Sequence, residues 1–227
     1  YANALKDPDL REMVEDIHES SVRLIEIVND FLDSSRLEQN RITFQSEPLD
    51  PVKLADDVIR GYQVSGSRKM LYIHLEPPQQ PIAPVLADKN RVKQVLINLV
   101  GNGLKFTDQG GVTIRLEPQA GFVKILVQDT GRGIAPENQK LLFRKFQQAA
   151  SSLITRDTTQ GTGLGLYISK LIIEGMGGQI HLESSKVGEG STFAFTLPLA
   201  DTKAPPPQTQ VPAMPDAADV ANEQTVV

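Results

Sequence analysis

Three stretches of the chain carry residue types and spacings that could do chemistry. Gln128-Asp129-Thr130-Gly131-Arg132-Gly133-Ile134 sets a carboxylate beside two glycines. The β-rich run 122–127 before it reads as a buried strand. Such a strand would deliver Asp129 to a loop whose glycines let the backbone turn sharply and approach a ligand. Gly161-Thr162-Gly163-Leu164-Gly165-Leu166 passes directly into a helical pattern. Glycines that open a helix leave free N–H groups and a positive dipole end where phosphates can sit. Upstream, Asn98 and Asn102 are four residues apart and share a face late in an otherwise apolar helix. An amide oxygen is a hard neutral ligand suited to Mg²⁺, which binds mainly through nucleotide phosphates. A glycine cluster alone is more simply a tight turn, and for the asparagines alone a frayed helix end and a metal ligand are equally good readings. Their occurrence together weighs against both plain readings.

Two familiar nucleotide motifs are absent. The GTGLGL stretch lacks the third glycine of the dinucleotide fingerprint, because Leu166 stands there, and no GxxxxGK[ST] loop occurs. The 227 residues are 40% apolar and 22% charged, the composition of an ordinary globular protein. A net charge of -5 offers no general attraction to nucleic acid or anionic membranes. With no cysteine there is no disulfide, thiolate metal site or cysteine nucleophile, which is compatible with the cytoplasm. No apolar run approaches the ~18 residues of a membrane span. The chain starts at Tyr1 rather than methionine, and a fragment of a longer protein is expected.

Around the three stretches the sequence predicts the elements that must position them. Residues 1–41 read as one long amphipathic helix. Leu10, Val14, Ile17, Ser21, Leu24, Val28, Phe31 and Ser35 form a heptad seam, widened by Ile25, Ile27 and Leu32. A lone helix cannot bury such a face, so a partner is expected, either a preceding helix or a second copy of the chain, and the length of the seam favours self-association over packing on the chain's own globular part. Residues 41–46 read as a strand and 47–51 as a turn. Asp50 before Pro51 starts a helix to about Val64. A strand follows at 69–76, then a proline-rich loop at 77–84. The asparagine helix runs from Asp88 to Thr107 on a core stripe that includes Val92, Val95 and Leu99. Gly101 and Gly103 weaken it by ~1 kcal/mol each. Strands are expected at 112–117 and 122–128, and a helix from Pro136 carrying Leu141, Leu142, Phe143 and Phe146. Residues 147–160 have no period and fit a mobile lid. After the GTGLGL helix come a break at Gly177-Gly178 and a hairpin of 179–184 and 191–199. Residues 201–227 read as a Pro/Ala-rich disordered linker.

Taken in order over about residues 10–199, these features resemble the ATP-binding catalytic domain of sensor histidine kinases. These belong to the superfamily of DNA gyrase, heat-shock chaperone and mismatch-repair ATPases. The resemblance rests on the N box (Asn98, Asn102-Gly103-Leu104-Lys105-Phe106-Thr107), the G1 box (129–134), the F box (Phe143-Arg144-Lys145-Phe146) and the G2 box (161–166). The opening helix resembles the second helix of the family's dimerisation hairpin. The resemblance implies an α/β fold, a two-layer α/β sandwich of the Bergerat type. Its mixed sheet would carry helices on one face, behind one long helix. It divides the chain into a hairpin helix (1–41), a catalytic domain (42–200) and the linker.

It also implies roles. Asp129 would accept from the adenine amino group, and Gly131, Gly133 and Ile134 would lie against the base, with Phe146 at the nucleotide. Asn102 would ligate Mg²⁺, with Asn98 and Lys105 as catalytic neighbours. Gly161, Thr162, Gly163, Leu164 and Gly165 would shape the lid's end and present N–H groups to ATP. The hydrolytic relatives carry a glutamate where Asn98 stands, so a phosphotransferase is expected rather than a hydrolase. The helix that bears the phosphoacceptor histidine is not in this sequence. Autophosphorylation of the fragment alone is therefore not expected; His18 reads as an ordinary surface histidine, and His74 and His181 as core or edge residues of strands. Implied partners are ATP, an acceptor histidine helix, a response-regulator receiver domain and a second copy of the parent protein. The implied place is the cytoplasm or the cytoplasmic part of a membrane-anchored sensor. The alternative is a nucleotide-dependent interaction module that binds ATP and signals by lid closure without transfer.

Overall fold

The computed structural model describes residues 7–39, 41–147 and 162–200. Gly161, nearly all of the expected lid, and the expected linker at 201–227 lie outside the described residues. Helix α1 (Pro8–Glu38) is opened by Asp7, whose carboxylate accepts the Asp9 N–H at 3.1 Å, with Pro8 at the first helical position. The chain then runs without regular structure from 41 to 46 into a short strand, β1 (Glu47–Leu49). The strand expected at 41–46 is absent. Ile42 and Phe44 instead pack on the core as anchors, and the Gln45 N–H is taken by Asp88 rather than by a neighbouring strand.

Asp50 caps α2 (Pro51–Arg68) by accepting the Val52 and Lys53 N–H groups at 3.0 and 3.1 Å. This helix extends past the expected end at Val64, and the expected strand 69–76 contracts to β2 (Tyr72–Leu75). Strand β3 (Val85–Ala87) pairs antiparallel with β1. Asp88 then caps α3 (Lys89–Lys105) through the Asn90 and Arg91 N–H groups. Strands β4 (Gly111–Gln119) and β5 (Phe122–Asp129) form a hairpin, followed by the single turn α4 (Pro136–Gln139). The longer helix expected over Leu141 to Phe146 is not formed, and those residues lie in turns. Helix α5 (Gly165–Gly175) leads to the closing hairpin of β6 (Ile180–Lys186) and β7 (Gly190–Pro198).

Five strands make one mixed sheet in the order β2-β4-β5-β7-β6, with only β2 and β4 parallel. Period-two alternation decides its faces. Val112, Ile114 and Leu116 of β4 pair in register with Asp129, Val127 and Ile125 of β5, and Ile125 and Val127 face Phe195 and Phe193 of β7. That face is buried beneath α2, α3 and α5. The opposite face carries Thr113, Lys124 and Gln128 toward solvent. The result is the two-layer sandwich expected, with the long helix in front.

Most of α1 stands clear of the sandwich. Its seam residues Leu10, Ile17, Leu24 and Phe31 are 45–61% exposed, whereas Ser34 and Leu37 are buried. The apolar seam therefore does not pack on the chain's own globular part. Among the described residues no helix is long and apolar enough to cross a membrane.

Candidate functional site

The end of β5 and the start of β7 hold Asp129 in place. Its Oδ1 accepts the Gly131 N–H at 2.9 Å and the Ser191 N–H at 3.3 Å. Burial pushes the Asp129 carboxyl above its ordinary value, and those two N–H groups only partly oppose it. With Oδ1 engaged on both sides, Oδ2 is the atom left for a ligand. Gly131 is required where it stands, because a side chain there would meet the Phe106 carbonyl. Gly133 has φ +67°, and a Cβ would strike the Lys186 carbonyl. The β6–β7 turn is thereby stapled to the G1 loop, with the Gly188 N–H on the Arg132 carbonyl at 2.8 Å and the Ile134 N–H on Ser185 at 2.8 Å.

The two asparagines are chained. Asn102 Nδ2 donates to Asn98 Oδ1 at 3.3 Å, and Asn98 Nδ2 donates to Ser169 Oγ at 3.0 Å. Asn98 thus ties α3 to α5 through its amide. This closeness depends on Gly165, whose Cβ would collide with the Asn98 amide. No described residue donates to Asn102 Oδ1, which leaves a hard oxygen on the cavity wall. The N-terminus of α5 has no side-chain cap, so its first-turn N–H groups remain for an anion.

A cavity of about 780 Å³ joins these groups. It is the size of a small-molecule site. Asn98, Asn102, Lys105, Asp129, Gly133, Ile134, Thr162, Gly163 and Gly165 all line it. Three expected residues do not. Leu164 is fully buried beneath the cavity, and Gly131 acts through Asp129 and Phe106. Phe146 is 60% exposed with φ +56°, because the turn that carries it is not helical.

The sequence reading missed Ser191 and Val187, which come from the last hairpin, and Asp30, which comes from α1. The Gly188-Glu189-Gly190 turn was the available signal for the first two. Nothing local marks Asp30, whose carboxylate accepts the Thr162 hydroxyl at 3.0 Å across 132 positions of sequence. Farther along α1, Asp33 pairs with Arg91 at 3.0 Å, and Glu38 accepts from Tyr167 at 2.6 Å and meets Lys145 at 2.5 Å. The three histidines are exposed and away from the cavity, His74 and His181 on opposite edge strands of the sheet.

Comparison with known proteins agrees with this geometry. Residues 87–201 match the family model described as histidine kinase-, DNA gyrase B-, and HSP90-like ATPase. Residues 1–40 match the His Kinase A (phospho-acceptor) domain. The chain is 37% identical over 200 residues to the non-motile and phage-resistance protein of Caulobacter vibrioides, covering 86% of this chain and 23% of that protein. It is 37% identical over 190 residues to the circadian input-output histidine kinase CikA of Synechococcus elongatus, covering 83% of this chain and 25% of that one. The chain spans about a quarter of the length of these curated relatives. Among solved structures, full-length ShkA in complex with AMPPNP superposes with a TM-score of 0.74 at 32% identity, over 90% of this chain and 42% of that one.

Proposed function

The chain belongs to the histidine kinase-, DNA gyrase B- and HSP90-like ATPases, and from that premise we propose that it is the catalytic portion of a two-component protein-histidine kinase. On this reading residues 1–41 are the second helix of a dimerisation hairpin, 42–200 the ATP-binding unit and 201–227 a linker. The observation that carries it is the meeting of the N, G1 and G2 boxes on one cavity. A buried carboxylate, an uncapped helix start, an amide oxygen and a lysine side chain all line it.

Asp129 would hold the adenine amino group through Oδ2, and Gly133 and Ile134 would lie against the base. Asn102 Oδ1 would hold Mg²⁺, whose chemistry is to neutralise phosphate charge during transfer. This amide, the nucleotide's own phosphate oxygens and water would form the shell. Lys105 and the first N–H groups of α5 would orient the phosphates and stabilise developing charge. Asn98 does not activate water, because both ends of its amide are bonded, and that favours transfer over hydrolysis. The acceptor would be a histidine on a hairpin helix, and a receiver domain would be the next recipient.

The test is incubation with Mg·[γ-³²P]ATP and a separately made hairpin that bears an acceptor histidine. Acid-labile, base-stable label on the hairpin is expected, and it should be lost in Asp129→Asn. Tight ATP binding with no label on any acceptor would replace the kinase reading with that of a nucleotide-binding interaction module.

A further inference from the structure

Arg132 stands between the two glycines of the G1 loop, and its backbone is held from both sides. Its N–H donates to the Phe106 carbonyl at 3.1 Å, and its carbonyl accepts the Gly188 N–H at 2.8 Å. From that fixed start the guanidinium lies over the Phe106 ring, with Cζ 4.5 Å from the ring centroid. Lys105 brings its Nζ to 5.3 Å from the centroid of the same ring. The ring and both cations line the cavity. Arg132 is exposed there, and among the described residues no carboxylate pairs with it.

A cation over an aromatic face is attracted by the ring's quadrupole. Two like charges gathered on one ring also repel each other, and an anionic ligand reaching both would relieve that repulsion. A guanidinium that stacks by its face keeps its edge N–H groups for a ligand, and that planar fork matches the oxygens of a phosphate. Neither the charge nor the fork has a use toward a neutral base. We propose that Arg132 is a phosphate-binding residue of the cavity, stacked with Lys105 on the ring of Phe106, and that it reads the nucleotide's phosphates rather than its base. This rests on the nucleotide-site reading above and adds a second cation, from a different element, to that site.

The experiment is calorimetric titration of the full chain with Mg·ADP and with adenosine at several salt concentrations, with melting temperature followed in parallel. In Arg132→Gln the affinity for Mg·ADP should fall at least about tenfold at low salt, the worth of a hydrogen bond to a charged group. Adenosine affinity and melting temperature should stay as in the wild type. The loss should shrink as salt is added, because the missing contact is one that salt screens. Arg132→Lys keeps the charge without the fork and should recover part of the loss. An unchanged affinity for Mg·ADP in Arg132→Gln would overturn the proposal. So would equal weakening of both ligands, or a loss of the same size at every salt concentration, either of which would leave Arg132 a support of the loop. These outcomes refute the role of Arg132 alone. A wild type that binds neither ligand refutes the nucleotide site itself.

Discussion

At the scale of single residues, Asp129 is a buried carboxylate kept at a cost to stability. Burial raises its pKa, so between the ordinary carboxylate value of 3.8 and the raised one the folded chain holds more protons than the unfolded chain. Its contribution to stability therefore falls as pH rises through that window. At neutral pH the buried charge is a net burden that a bound base would offset. Asp129→Asn should melt above the wild type at pH 7 without ligand, and the difference should vanish below pH 3.8. Because two N–H groups hold Oδ1, the variant would turn its NH₂ toward the cavity, donor against donor. Nucleotide affinity should fall at least tenfold, since a hydrogen bond to a charged group contributes about 1.5–3 kcal/mol. Thermal melts across pH with and without ATP measure both effects. A lower melting point for the variant at pH 7 would show that the two N–H bonds outweigh desolvation.

At the scale of elements, the glycines of α3 look alike in sequence and differ in structure. A Cβ on Gly103 would meet Val112 Cγ2 at 2.7 Å and Asp129 Cβ at 3.4 Å, so this glycine lets α3 lie close against the strand end that carries the site. A Cβ on Gly101 would meet only the Tyr62 hydroxyl, at 3.2 Å, the movable end of a side chain. Gly103→Ala should therefore destabilise by about 1–3 kcal/mol through overpacking. Gly101→Ala should be neutral, or stabilising by up to ~1 kcal/mol from helix propensity. Urea denaturation of both variants decides, and equal effects would contradict the packing argument. The same contrast explains what could be read in advance. Caps such as Asp50 and Asp88, and the alternation of Val112, Ile114 and Leu116, are local signals, and they placed the helices and the sheet. The strand expected at 41–46 failed because alternation at Ile42 and Phe44 reports burial but not a pairing partner. The helix expected through Phe146 is not formed, because the apolar spacing before it imitates a helix that the turns override. Asp30 reaches the site by tertiary contact alone, which no spacing encodes.

At the scale of the whole molecule, α1 divides into a free apolar seam and a docked polar end. Its docked end meets the sandwich through Asp30 on Thr162, Asp33 on Arg91, and Glu38 on Tyr167 and Lys145. Burial acts to raise the Glu38 pKa, but the bonds from Lys145 and Tyr167 prevail and lower it. The depressed carboxyl supports docking above its unfolded value of 4.5, and that support is lost as pH falls through the lower folded value. Tyr167 works at the other limit. Burial and then Glu38 raise it to about 12, so its support is lost as pH rises from 10 toward 12. Docking of α1 should thus hold across neutral pH and loosen on both sides. Energy transfer between dyes on the exposed face of α1 and on β6 would follow it. Glu38→Gln should remove the acid transition due to this group and should weaken the neutral plateau. An acid transition of unchanged size would show that Glu38 does not govern docking. The seam is a separate matter, because Ile17 and Leu24 face solvent whether or not the helix is docked. Ile17→Glu with Leu24→Glu should abolish any self-association seen by light scattering while leaving nucleotide affinity unchanged. Loss of both together would mean that the cavity depends on the second copy.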